Sequence, residues 1–243
     1  MNKIFVLILN YRRHHDTINC LRCLQKSDLP KNSKIIILDN TADDSSAKII
    51  RVKFPQIKLI KNKKNLGFAK GNNIGIRYAL KHQATHILII NPDVCLPKKF
   101  FSPLLKNFQT NPQLGLVAPA LKHQVKKKTY FGLDGYLDWS IAKPQHYSLT
   151  KITKTKPISA EFLTFACVLI SAKVFSQTGL IDERYFMYLE DVDFCLTARR
   201  QGFDLWLNPN IIATHQTSAS FTHPRHKLKI SFIQAHTNKF VFI

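Results

Sequence analysis

Three carboxylates follow an aromatic segment late in the sequence, and their spacing suits acid–base chemistry. Glu190, Asp191 and Asp193 come directly after the aromatic and apolar residues 186–189, and the apolar positions beyond them repeat with the period of a helix that has one buried face. The acids therefore lie at or near a helix N-terminus, where the helix dipole and free N–H groups favour the ionised form. The pattern indicates either acids that cap the helix or a catalytic base.

Polar side chains directly follow three short apolar runs earlier in the chain, and these are Asn10 and Tyr11, Asp39, and Asn91 with Asp93. A carboxylate fixed at a strand end, such as Asp39, can accept the imide N–H of a uracil or thymine ring; supporting the following turn is the alternative. Asp93 follows a very apolar run and is suited to bind a hard cation. Mg²⁺ or Mn²⁺ held there would neutralise a diphosphate.

A segment between these sites carries Gly67, Gly71 and Gly75 at four-residue intervals. On a helix these glycines form a smooth stripe that admits either another backbone or a diphosphate, and the spacing leaves both readings open. The segment matches neither a P-loop nor a dinucleotide-binding GxGxxG. Its polar side chains could complement phosphate or sugar oxygens, and they are Asn65, Lys70 and Asn73.

The elements that position these residues are predicted from alternating short apolar runs and longer amphipathic stretches. Strands are predicted at Ile4–Leu9, Lys34–Leu38, Ile57–Ile60, His86–Ile90 and Gly115–Ala118. Such alternation predicts an α/β fold with a mostly parallel central sheet flanked by helices, in one domain. Ligands of such sheets bind beyond the carboxyl ends of the strands, so the polar residues named above should meet at one edge.

The second part of the chain departs from this pattern. Residues 121–159 combine lysines, turn residues and scattered aromatics such as Tyr136 and Trp139, and we expect a basic, loop-rich element there. A strand is expected over Glu161–Ser171, then a helix from the acidic segment to about Gln201. Two final strands are expected around Phe203–Leu207 and Ile211–Thr214.

The composition points to an anionic partner. The 36 Lys and Arg outnumber the 15 Asp and Glu, which gives a net charge of +21. Nucleic acid, an anionic membrane surface, and a nucleotide-sugar or pyrophosphate-linked substrate would each suit this charge. No apolar run reaches the roughly 20 residues of a membrane span. The five cysteines lack the paired spacing of a disulfide framework, so we expect reduced thiols and a cytosolic protein.

Five segments together resemble the family 2 glycosyltransferases, and more closely their rhamnosyltransferase-like branch. Their order and spacing match the family over roughly the first 215 residues. The matching segments are VLILNY at 6–11, ILDN at 37–40, NLGFAKGNN at 65–73, NPD at 91–93 and GLIDERYFMYLEDVDFCLTARRQGF at 179–203.

The resemblance implies a GT-A fold and assigns roles to the candidate residues. Asp39 would recognise the nucleotide base, and Asp93 would stand in the metal-binding position of the family's DxD-type motif, with His215 completing the site. Asp191, paired with Glu190, would be the general base. Contacts to the nucleotide sugar would come from Asn10, Tyr11, Asp39, Asn65, Lys70, Asn73, Asn91 and Asp93.

These roles describe an inverting, metal-dependent transferase. Residues 1–118 would bind a UDP- or dTDP-sugar, and residues 119–243 would bind a surface-glycan or lipid-linked acceptor. Rhamnose is one of the sugars that such an enzyme could transfer. We expect the protein to act in the cytoplasm, bound peripherally to the inner face of the cell membrane. We expect no nucleic-acid partner. A catalytically inactive GT-A scaffold and a basic nucleic-acid-binding protein are the alternatives. A nucleotidyltransferase is disfavoured because no glycine follows the first strand.

Overall fold

Short runs of isoleucine, leucine and valine form the central strands, because such residues tolerate burial on both faces of a sheet. The computed structural model describes residues 2–125, 128–138, 140, 143–153 and 155–216. In these ranges the strands are β1 (Ile4–Asn10), β2 (Lys34–Asp39), β3 (Lys58–Lys61), β4 (His86–Ile90), β5 (Val94–Cys95), β6 (Leu114–Val125), β7 (Lys128–Asp138), β8 (Lys143–Leu149), β9 (Ile158–Ser159), β10 (Cys167–Ser171) and β11 (Asp204–His215). The helices of the same ranges are α1 (His14–Gln25), α2 (Ser45–Lys53), α3 (Phe68–Lys81), α4 (Phe101–Thr110), α5 (Ala172–Thr178) and α6 (Glu190–Arg200).

All strands join one sheet, whose main path runs in the order β3-β2-β1-β4-β10-β6-β11-β5. The first four are parallel, so their carboxyl ends share one edge, as the alternation of the sequence predicted. Strand β10 is antiparallel to both β4 and β6, and β11 is parallel to β6. The sheet is therefore mixed, with its antiparallel pairs gathered in the second half of the chain.

Alternate residues of the central strands point into two separate cores. In β1, Phe5 and Leu7 pack on the face covered by α3, α5 and α6. Val6 and Ile8 point to the opposite face, which is covered by α1, α2 and α4. Helices on both faces explain why these strands read as continuous apolar runs rather than alternating ones.

Two glycines of α3 bring that helix against the sheet. A Cβ at Gly71 would lie 2.7 Å from Cδ1 of Leu9, and one at Gly75 would lie 2.8 Å from Cδ1 of Leu38. Real Cβ atoms do not approach so closely, so only glycine permits this packing. Gly71 and Gly75 therefore allow close packing of the helix on the sheet, which is the first of the two interpretations of the glycine stripe.

The expectation of a loop-rich element at 121–159 is wrong for most of that segment. Strands β6, β7 and β8 form an antiparallel meander there. The lysines do not prevent this, because only one side of the meander is covered: Leu121 and Leu137 are buried, whereas Tyr136 is exposed. Trp139 lies outside the described residues.

Two further expectations in the second half are corrected. The strand expected over Glu161–Ser171 is limited to β10, at the end of that range. The two final strands are one, because β11 stays paired with β6 through an irregularity between Asn208 and Ile212. A bulge of this kind interrupts the hydrophobic pattern without ending the strand.

The expectation that all cysteines are reduced is wrong for two of them. Cys23 in α1 and Cys95 in β5 form a disulfide between residues 72 positions apart. Sequence spacing could not reveal this pair, because only the fold brings α1 beside β5. Cys20, Cys167 and Cys195 are buried free thiols.

Among the described helices, none has both the length and the apolar character that crossing a membrane requires.

Candidate functional site

Asn10 and Asp39 end neighbouring parallel strands and lie side by side at the carboxyl edge of the sheet. Both side chains are fully buried. Nδ2 of Asn10 donates to Oδ1 of Asp39 at 2.8 Å, and the N–H of Thr41 donates to the same oxygen at 3.1 Å. Asn10 thus fixes the carboxylate, and its own Oδ1 is used by Thr17 and Arg13. Asn10 thus has a supporting role in the structure, and its direct contact with a donor stays a prediction.

The second oxygen of Asp39 is free in this arrangement. Oδ2 is buried and has no hydrogen-bond partner among the described residues. A buried acceptor without a partner is costly, so such an atom is commonly reserved for a ligand. An imide N–H of a pyrimidine base is a donor of the right kind.

Asn40 and Asn65 brace the turn that follows. Nδ2 of Asn40 donates to Oδ1 of Asn65 at 3.1 Å and to the carbonyl of Gly67 at 3.0 Å. The N–H of Gly67 also donates to Oδ1 of Asn65. Asn65 was predicted to contact a donor directly; the structure uses its carbonyl oxygen to shape this turn.

Asp93 and His215 come together at the same edge, as the resemblance implied. Strand β5 pairs antiparallel with β11, and the N–H of Gln216 donates to the carbonyl of Asp93 at 2.9 Å. Nε2 of His215 lies 3.2 Å from Oδ1 of Asp93, whose side chain is 7% exposed. Despite this distance, Oδ1 of Asp93 has no hydrogen-bond partner in the described part of the chain.

This pair fits a divalent cation. An unpartnered buried carboxylate oxygen beside an imidazole nitrogen supplies one oxygen and one nitrogen ligand. No group of three or more His, Cys, Asp or Glu that could hold a metal occurs among the described residues. Mg²⁺ commonly takes only one or two carboxylates from the protein and the rest of its ligands from phosphate and water, so two side chains are compatible with a site completed by a diphosphate.

Glu190 and Asp191 begin α6, but neither caps it. The N-cap position is Leu189, and it makes no side-chain cap bond. Tyr188 and Leu189 both have left-handed backbone, with φ of 72° and 69°. Left-handed backbone costs a non-glycine residue on the order of 1 kcal/mol or more, and such strain clusters at functional sites. Neither acid is the N-cap of α6, and the catalytic interpretation of the pair stays a prediction.

Burial favours the neutral, protonated form of both Glu190 and Asp191. Burial, followed by the charge of Asp191, raises the pKa of Glu190 to about 8. Burial also raises the pKa of Asp191, against which hydrogen bonds from the N–H groups of Val192 and Phe165 act. The main-chain donors offset only part of this effect, so the pKa of Asp191 stays above its ordinary value, and that of Glu190 is raised to about 8.

Two consecutive residues, Phe165 and Ala166, connect the loop of Asp93 to the carboxylate of Asp191. The carbonyl of Ala166 accepts the N–H of Asn91 at 2.8 Å, and the N–H of Phe165 donates to Oδ2 of Asp191 at 3.4 Å. Asn91 is thus held by its main chain, two residues before Asp93. The segment at 165–166 fixes the two centres relative to each other.

A cavity of about 230 Å³ opens beside this segment. It is lined by His215 and by side chains to which the sequence assigned no role in the site, among them His123, His146, Tyr147, Ser148 and Thr164. Most of them belong to the strands that we expected to be loops, so only the alternation of faces along β6 and β8 could have indicated them. Nδ1 of His123 is buried without a hydrogen-bond partner among the described residues.

Three remaining candidates differ in accessibility. Tyr11 is 43% exposed at the end of β1, where a ligand could reach it. Lys70 is more than half exposed and lies 3.7 Å from Glu183. Asn73 is fully buried, and both ends of its amide bond the main chain of Ile181. In this arrangement Asn73 holds the main chain of Ile181, and its contact with a donor stays a prediction.

A family profile described as Glycosyl transferase family 2 matches residues 5–179 of this chain. The hexosyltransferase Agl10 of low-salt glycan biosynthesis from Haloferax volcanii is 25% identical over 216 residues, which are 84% of this chain and 64% of that protein. The dTDP-rhamnosyl transferase RfbF of Shigella flexneri is 24% identical over 88% of this chain and 69% of its own length.

An N-acetylglucosaminyl-diphospho-decaprenol L-rhamnosyltransferase of Mycobacterium tuberculosis is 24% identical over 72% of this chain and 62% of its own length. The chain thus spans about two thirds of these relatives. The crystal structure of GalNAc-T7 with UDP, GalNAc and Mn²⁺ superposes with a TM-score of 0.71 at 14% identity, over 89% of this chain and 44% of that one. This likeness confirms the GT-A-like fold.

Proposed function

Because the chain belongs to glycosyl transferase family 2, we propose that it transfers a hexosyl or rhamnosyl residue from a UDP- or dTDP-sugar to a surface-glycan or lipid-linked acceptor, with inversion at the anomeric carbon. The observation that carries the proposal is the 165–166 segment, which ties the loop of Asp93 to the carboxylate of Asp191. A cation position and a base held in one frame are what transfer from a nucleoside diphosphate requires.

In the proposed binding mode, residues 1–118 hold the donor. Oδ2 of Asp39 accepts the imide N–H of the uracil or thymine ring, with Asn10 keeping the carboxylate in place. Tyr11 and Lys70 are exposed, and both lie in segments that the proposal assigns to the donor. They are candidates for contact with the nucleotide and its phosphates. Asp93 and His215 would hold Mg²⁺ or Mn²⁺, which when bound supplies positive charge that stabilises the diphosphate leaving group.

In the proposed reaction, an acceptor hydroxyl attacks the anomeric carbon from the face opposite the diphosphate. Asp191 takes the hydroxyl proton as the new C–O bond forms. The bond between the anomeric carbon and the phosphate oxygen breaks, and the nucleoside diphosphate leaves with the electron pair. Glu190, protonated beside Asp191, keeps a second negative charge away from the base.

In this proposal, the acceptor binds to the second half of the chain. The cavity lined by His123, His146 and Thr164 opens next to Phe165, whose N–H holds Asp191. The relatives include an enzyme named for a diphospho-decaprenol acceptor and another named for glycan biosynthesis. A lipid-linked acceptor would bring the protein to the cytoplasmic face of a membrane, which also suits the charge of +21.

Thermal shift with a panel of UDP- and dTDP-sugars, each with and without Mn²⁺, tests the proposal. A donor at a hundred times its Kd should stabilise the fold by about 2.7 kcal/mol, and only with the cation present. Asp39→Asn should abolish this shift, because the amide presents an N–H where the base also donates. No shift with any nucleotide sugar, together with stabilisation by duplex DNA, would overturn the proposal in favour of nucleic-acid binding.

A further inference from the structure

The donor-side helix α3 and the loop that leads to Asp191 are joined by one side chain. Nδ2 of Asn73 donates to the carbonyl of Ile181 at 2.7 Å, and its Oδ1 accepts the N–H of Ile181 at 3.2 Å. The amide therefore pairs with both main-chain groups of one residue, as a neighbouring strand would. Both residues are buried, so water does not compete for these bonds.

A second contact joins the start of the same helix to the same loop. The N–H of Phe68 donates to the carbonyl of Phe186 at 2.6 Å. Gly67 makes this approach possible, since a Cβ there would lie 2.3 Å from that carbonyl oxygen. Its φ of 78° is also a conformation that glycine adopts without strain.

Glu183 adds an outer contact between the two segments. Its Oε1 accepts from Nδ2 of Asn73 at 3.1 Å and from Nη2 of Arg77 at 2.7 Å. Nζ of Lys70 lies 3.7 Å from the other oxygen. Arg77 and Lys70 are more than half exposed, so these ion pairs contribute less than the buried amide does.

The loop held in this way ends in the two left-handed residues Tyr188 and Leu189, directly before Glu190 and Asp191. Backbone of this kind persists only where its surroundings enforce it. We infer that the helix segment 67–77, through Asn73 and Gly67, positions Asp191 for proton abstraction by holding the 181–189 loop. Asn73 is the main positioning residue. This inference rests on the proposed function, because it concerns the base of that reaction.

General packing of α3 does not account for these contacts. Asn72 is also fully buried on the same helix, but its Nδ2 bonds the carbonyl of Phe68 within the helix. Asn73 bonds a residue 108 positions away and reaches it through both ends of its amide. The pair therefore offers two asparagines of equal burial, of which one faces the loop.

Asn73→Ala should release the loop, and Asn72→Ala is its matched control. Hydrogen exchange on the ligand-free proteins should show faster exchange of the amides in 181–193 for Asn73→Ala only, which needs no activity assay. In steady-state kinetics, kcat should fall on the order of tenfold or more while the donor KM stays within about twofold, since a base displaced by about 1 Å loses rate rather than donor binding.

Arg77→Met provides a second variant at an exposed position that folding tolerates. It should lower kcat by about threefold, the effect expected when an exposed ion pair is lost. Unchanged exchange in 181–193 for Asn73→Ala, or a rise in donor KM with kcat preserved, would overturn the inference. If the wild-type protein transfers no sugar while the exchange difference is present, the proposed function fails and the contact between helix and loop stands.

Discussion

Nε2 of His215 lies 3.2 Å from Oδ1 of Asp93, although the two residues are far apart in the sequence. The register of the sheet causes this meeting, because β11 pairs with β5 so that His215 faces Val94. Within the described part of the chain, this leaves a carboxylate oxygen without a hydrogen-bond donor beside an imidazole nitrogen. The proposed cation site rests on this arrangement.

Asp93→Ala should weaken binding of a nucleoside diphosphate only when the divalent ion is present. Its proposed role is to hold the ion that contacts the phosphates, so binding measured in EDTA should match the wild-type protein. Isothermal titration with UDP and dTDP, with Mn²⁺ and with EDTA, measures the difference. Equal affinity of wild type and variant in Mn²⁺ would remove Asp93 from the site. His215→Ala should show the same dependence on the ion.

Asp191→Asn should leave donor binding near the wild-type value and lower turnover by at least about a hundredfold, since the amide keeps the shape but takes no proton. Burial raises the pKa of Asp191, so the wild-type rate should fall on the acid side at a pH above the usual range of an aspartate. The variant should not show this fall in rate at acid pH. A transfer assay across pH, with calorimetry for the donor, measures both. Unchanged turnover would exclude Asp191 as the base.

Much of this site could be predicted from the sequence, because its residues directly follow apolar strands. Parallel strands share one carboxyl edge, so Asp39 and Asp93 could be placed there from the pattern alone. The role of Asn73 could not, since the partner of a buried amide is set by a loop 108 residues away. The meander of β6 to β8 was missed because its lysines lie on an open face and hide the alternation.

Glu190→Gln should make stability less dependent on pH. The folded pKa of Glu190, about 8, is above its ordinary value of 4.5, so the native state binds the extra proton between these limits. Its contribution is fully present below pH 4.5 and is lost as pH rises through 8. Wild-type stability should fall by on the order of 5 kcal/mol across this window, whereas the glutamine variant keeps the neutral form.

Urea unfolding of both proteins between pH 5 and pH 9 measures this difference. The variant should become the more stable protein near pH 8.5, and the two should differ least near pH 5. Parallel curves for the two proteins would contradict a buried, protonated Glu190.

The disulfide between Cys23 and Cys95 should stabilise the fold, because it closes a loop of 72 residues in the unfolded chain. Such a loop contributes about 2–4 kcal/mol, so reductant should lower Tm by on the order of 10 °C. Cys23→Ser should melt at the reduced value with and without reductant. Alkylation of the unreduced protein unfolded in denaturant, followed by mass spectrometry, should find three of the five cysteines modified. Five modified cysteines would contradict the bond.

Binding to anionic vesicles is the last expected property, and it follows from the exposed side of the β7–β8 hairpin. Tyr136 and Tyr147 are both exposed there, with ring centroids 5.0 Å apart. Lys143 begins β8 and Lys151 follows shortly after its end, and both are exposed. Each lysine near an anionic surface contributes about 1 kcal/mol, and interfacial tyrosines add a part that salt does not weaken.

Flotation with vesicles of phosphatidylglycerol and phosphatidylcholine should show binding that falls steeply as salt rises, and phosphatidylcholine alone should bind little. Replacing Lys143 and Lys151 by Glu should abolish flotation. The same change at the exposed Lys48 and Lys53 of α2 alters net charge equally and should preserve it. Equal losses for the two pairs would show that total charge, not this hairpin, drives binding. Tight binding to duplex DNA with no preference for anionic vesicles would contradict the membrane role and favour a nucleic-acid partner.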